Sequence, residues 1–117
     1  AGQINVPVNI AVLDAATHLK AFSRMDQALL GAIDIAIAKA RTAALFGMQT
    51  EQVGEFCKPG GTSPGLEQTN GGLVVFAGGI PILDSLGSMI GAVGVSGGSV
   101  AQDLEVAQAA SAALQHP

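Results

Sequence analysis

The chain has no tryptophan, no tyrosine and a single cysteine among its 117 residues. Four phenylalanines are the only aromatic residues, 3% of the sequence. Single-stranded nucleic acids are gripped by base stacking on aromatic rings, and that platform is missing. Charge is also scarce: 12% of residues are charged, with five Lys and Arg against nine Asp and Glu. The resulting net charge of −4 excludes the basic footprint that duplex DNA requires. A lone Cys57 closes no disulfide within the chain and builds no cysteine-based zinc site. No apolar run reaches the roughly 18 residues of a membrane-spanning helix. The N-terminal stretch shows no basic segment followed by an apolar one, so no signal peptide is legible. The chain starts at Ala1, which fits a processed, trimmed or fragmentary product. The lone thiol suits either redox compartment; the cytoplasm is favoured, with secretion open if a leader has been removed.

What the chain does have is small and apolar. Hydrophobic residues make up 49%, and there are 16 glycines. That is too apolar for disorder, and the length is that of one domain, residues 1–117. Ala, Val, Ile and Gly in place of large rings permit close backbone approach, within the fold or between subunits.

The hydrophobic period assigns the elements. Val6, Val8, Ile10 and Val12 alternate with their neighbours, which reads as a strand ending near Asp14. A short turn leads to a second strand, Leu19 to Met25, and so brief a connection implies an antiparallel hairpin. Leu29, Ile33, Ala36, Ile37, Ala40 and Ala44 then recur at helical spacing, with Gly47 as the stop. A short helix follows from Thr50, read as its N-cap, to about Phe56. Residues 58–72 read as a long irregular loop. Leu73–Ala77, Ile80–Leu83 and Met89–Ser96 read as three strands, with Pro81 at an edge or bulge. Ser99 and Gln102 form a capping box for a final helix running to about His116. The expected fold is therefore α/β (α+β): a mainly antiparallel five-stranded sheet packed with helices.

Sites are sparse. His18, beside the first turn, is a candidate iron ligand, because histidine commonly holds haem iron axially. Arg24 and Lys39 are candidate partners for propionates or other carboxylates through charge-assisted hydrogen bonds. The turn Gly94–Gly98 precedes a helix start, where anions are favoured, but it is neither a dinucleotide fingerprint nor a P-loop. Cys57 and Ser96 lack a neighbouring base in sequence, and Met25, Met48 and Met89 read as core filler before soft ligands.

Several segments together resemble one family. Asp14 with Leu19 through Asp26 resembles the D-x-x-G-x-L-x-x-x-x-R-M-D hairpin of the GlcG/HbpS-type family. Ile33–Ala43 resembles its central helix, and Gly71-Gly72 to Gly79-Ile80-Pro81-Ile82 its G-G-x-P-I segment. Ile90 through Gly98, followed by Gln102-Asp103, resembles its I-G-A-[IV]-G-V-S-G-G-x-x-x-Q-D signature. The resemblance extends along nearly the whole chain and includes the C-terminal domain of PduO-type proteins. It implies a profilin-like domain, assembly from dimers up to octamers, and haem as a cofactor in some members, with redox sensing or haem handling as roles. Other members accompany glycolate or diol metabolism, so a small organic acid is the alternative ligand, with the Gly94–Gly98 turn and Arg24 as its pocket. A purely structural self-assembling module is the third reading. Two departures stand out: Thr17 occupies the usual turn glycine, and the family's N-terminal helix has no counterpart before the first strand.

Overall fold

The computed structural model describes residues 6–114, so His116 lies outside the described residues. The elements are β1 (Asn9–Asp14), β2 (Leu19–Arg24), α1 (Ala32–Phe46), α2 (Thr50–Cys57), β3 (Gly79–Leu83), β4 (Met89–Ser96) and α3 (Val100–Leu114). The strands form one antiparallel sheet in the order β2-β1-β4-β3. Pro81 sits on the edge strand β3, where a missing N–H costs no ladder bond. No helix among the described residues is long and apolar enough to cross a membrane.

The two faces of the sheet are packed differently. Ala11, Leu13 and Ala92 meet Ala36, Ala40, Ala43 and Ala44 of α1. Here small residues bring helix and sheet backbones together: a Cβ on Gly94 would collide with the Ala36 carbonyl oxygen. The opposite face is built from branched side chains, with Val8, Ile80, Ile82, Val93 and Val95 packed against Val106 and Ala107 of α3. Gly47 ends α1 in the left-handed region, φ 65°, and its N–H donates to the Ala43 carbonyl over 2.8 Å. The capping box of α3 is present: Ser99 N–H donates to Gln102 Oε1 at 2.9 Å, and Gln102 N–H to Ser99 Oγ at 3.1 Å.

Two expectations are corrected. The sheet has four strands, not five, because Leu73–Ala77 pairs with no strand. Its backbone groups are met by helix side chains instead: Val74 N–H donates to Thr42 Oγ1 at 3.2 Å, and the Phe76 carbonyl accepts from Thr50 Oγ1 at 2.7 Å. Thr50 is accordingly not the N-cap of α2, a place taken by Gln49; it is fully buried, and its hydroxyl also accepts the Gly79 N–H at 3.0 Å.

Candidate functional site

The two hairpins are closed by the same device. Asp14 Oδ1 accepts the N–H groups of Ala16 and His18, both at 2.9 Å. Asp84 Oδ1 accepts those of Leu86 and Ser88, also at 2.9 Å. Position four of each turn is left-handed, occupied by Thr17 at φ 71° and by Gly87 at φ 83°. The turn glycine that Thr17 replaces is thus a conformational requirement, which a β-branched residue meets at a steric cost. The same backbone bond, first from His18, holds the Asp14 carboxyl below the usual carboxylate range.

His18 lies at the first hairpin tip with 82% of its side chain exposed. Its Nδ1 lies 3.8 Å from Asp14 Oδ2, beyond hydrogen-bond distance. The register places Asp14 opposite Gly91, so both hairpin tips emerge at the same end of the sheet. Leu19, Leu86 and Ile90 are all exposed at that end. An accessible imidazole with exposed apolar side chains around it can ligate a metal set in a flat apolar group.

Arg24 and Lys39 are placed elsewhere. Arg24 is exposed at the far end of β2, about 20 Å from His18 at the usual rise of ~3.3 Å per strand residue. Lys39 is wholly buried in the interior. Its Nζ donates to Asp103 Oδ2 at 3.0 Å and to the Val95 carbonyl at 2.8 Å, and the Phe76 ring centroid lies 4.9 Å away. Two hydrogen bonds and one ring face thus surround the ammonium. Burial pushes Lys39 below the usual lysine range, and the bond and charge of Asp103 oppose that shift. Within one chain, then, His18, Arg24 and Lys39 do not converge on one ligand. Asp103, in the first turn of α3, is the counter-ion of Lys39, 64 residues away, and its Oδ1 accepts Gly98 N–H at 2.9 Å.

A separate cavity of about 530 Å³ opens where α1 and α3 begin. Ser96, Gly97, Gly98 and Asp103 line it together with Leu29, Leu30 and Phe76. The Gly94–Gly98 turn therefore does border a cavity, and Arg24 is not among its lining residues. Among the described residues no group of three or more His, Cys, Asp or Glu could hold a metal ion.

Comparison with known proteins adds what geometry alone does not. A protein of 15.0 kDa from the dhaT–dhaS intergenic region of Citrobacter freundii is 40% identical over 109 residues, spanning 92% of this chain and 76% of that one. The corrinoid adenosyltransferase PduO of Salmonella typhimurium is 40% identical over 114 residues, 97% of this chain but 34% of its own length. The crystal structure of a PduOC:haem complex superposes with a TM-score of 0.91 at 38% identity, covering 97% of this chain and 83% of that one. The family model described as haem degrading protein HbpS-like matches residues 1–112, and the chain belongs to that HbpS-like family.

Proposed function

We propose that this chain is a haem-binding protein that works as a homo-oligomer, on a profilin-like frame. The observation that carries the reading is its near-complete likeness to the PduOC:haem complex. The residues at this end suit the group: His18 offers an exposed imidazole, Asp14 lies near it, and Leu19 and Leu86 are exposed apolar side chains at the same end of the sheet. Bound haem would supply a redox-active iron, which suits redox sensing or haem handling.

His18 Nε2 is the proposed axial ligand. Arg24 is too far along β2 to meet propionates of the same haem from the same chain; it would reach those of a haem held by a neighbouring copy. Lys39 is fully buried and bonded to Asp103, so its proposed part is to tie α1 to α3 rather than to hold a propionate. Exposed apolar residues at the hairpin end favour a second copy closing over the other haem face. Light scattering of the protein with and without one equivalent of haemin tests the assembly: a saturable haemin complex of defined multiple mass supports it, and a haemin-free monomer at all concentrations contradicts it.

A further inference from the structure

The two edges of the sheet are defended unequally. β3 is one edge. Val95 N–H donates to the Gly78 carbonyl, so by antiparallel alternation Ile80 and Ile82 turn their backbone groups to β4, and Gly79 and Pro81 turn theirs outward. The outward Gly79 N–H is taken by Thr50 Oγ1 at 3.0 Å, and Pro81 has none. Over these residues that edge offers another strand no free donor.

β2 is the other edge. Met25 N–H donates to the Val8 carbonyl at 3.1 Å, so Ser23 and Ala21 face β1, and the N–H and C=O groups of Phe22 and Arg24 point away from it. No strand pairs with them among the described residues. β2 contains neither Pro nor Gly and is exposed at every residue but Phe22, which is half-buried against the α1 face. An edge strand this open is a template for another strand.

Charge selects the occupant and its register. A second copy of β2 can meet these outward groups antiparallel in two neighbouring registers. With Phe22 opposite Phe22, Lys20 of each copy faces Arg24 of the other, and like charges repel. A shift of two residues sets Phe22 opposite Arg24, an aromatic ring beside a cation, and brings the exposed Lys20 toward the exposed Asp26. Ser23 then meets its own counterpart on the two-fold axis.

We propose that β2 is the seam of a homodimer whose sheet continues across a two-fold axis, with Phe22 paired to Arg24 and Ser23 to Ser23. It rests on the proposed homo-oligomer and names the surface that builds it. The seam sets Arg24 of the second copy opposite Phe22, four residues or ~13 Å along the sheet from His18, against about 20 Å within one chain.

The full chain without haem tests the seam. Ser23→Cys sets two thiols in a non-hydrogen-bonded antiparallel pair, where Cα atoms about 4.5 Å apart are within disulfide reach. It is expected to give a covalent dimer on mild oxidation, whereas the parent chain, with its lone Cys57 buried, gives none. Arg24→Pro copies the guard of β3, removing an outward N–H and no ladder bond, and should weaken the dimer about tenfold or more in sedimentation equilibrium. Lys20→Glu should weaken it about fivefold by setting a carboxylate against Asp26. Adding Asp26→Lys should restore it, a rescue that a misfolded chain cannot show. A defined oligomer that neither cross-links through Ser23→Cys nor responds to Lys20→Glu overturns the seam and leaves the proposed homo-oligomer standing. A monomer at all concentrations overturns both.

Discussion

The two hairpin turns, Asp14–His18 and Asp84–Ser88, share one backbone and differ in what they carry. In both, an aspartate accepts two turn N–H groups and the fourth residue is left-handed. The second hairpin puts glycine at that strained position and serine after it. The first puts Thr17 there and follows it with an exposed histidine. One turn is free of side-chain strain and presents no ligand atom of consequence. The other tolerates strain and presents an imidazole beside a carboxylate. The proposed haem ligand thus sits on the hairpin whose turn tolerates local strain.

The interior sets the scale for testing that contrast. Asp103→Ala strands the Lys39 ammonium in the core and should cost about 3–5 kcal/mol, measured by urea unfolding. Replacing both partners, Lys39→Met with Asp103→Leu, should recover most of that loss, because the pair's desolvation cost disappears with it. No change at either hairpin should approach the single substitution.

Exchanging the fourth turn residues comes next. Gly87→Thr should destabilise by roughly 1–2 kcal/mol, and Thr17→Gly should stabilise by about 1 kcal/mol, since only glycine adopts positive φ without a Cβ clash. Equal and negligible effects in both directions would erase the distinction between the turns.

Acidification gives a smaller effect. The Asp14 carboxyl is held below its usual range by the His18 and Ala16 N–H groups. A depressed carboxylate contributes stability that is complete above its unfolded pKa and disappears as pH falls through the folded one. Asp14→Ala should therefore lower Tm at neutral pH, and the gap to the parent chain should close in acid. The smallest effect is expected for His18→Ala, whose exposed side chain leaves stability within about 0.5 kcal/mol of the parent in the same urea measurement.

Much of this architecture was legible because it is local. Period-two alternation and a short connection gave the β1–β2 hairpin, Gly47 marked the end of α1, and Ser99 with Gln102 marked the start of α3. Leu73–Ala77 was misread because an apolar β-branched run looks like a strand whether its backbone bonds go to another strand or to threonine hydroxyls. Lys39 was legible as a partner for a carboxylate, but which one was not. Nothing within its own helix points to Asp103 on α3. The equivalence of the two turns was available in the sequence, as aspartate four residues before His18 and before Ser88, but it acquires meaning only once both tips are seen at one end of the sheet. His18 was legible as a candidate ligand, whereas the cavity between α1 and α3 depends on packing that no spacing encodes.

The central claim is that the first hairpin, through His18, holds haem. A Soret-band titration of haemin into the parent chain and into His18→Ala, followed by imidazole, tests it directly. The account predicts a saturable shift in the parent, its loss in His18→Ala, and its return when imidazole fills the vacated position. No saturable shift in the parent, or an identical spectrum and affinity in His18→Ala, would contradict it.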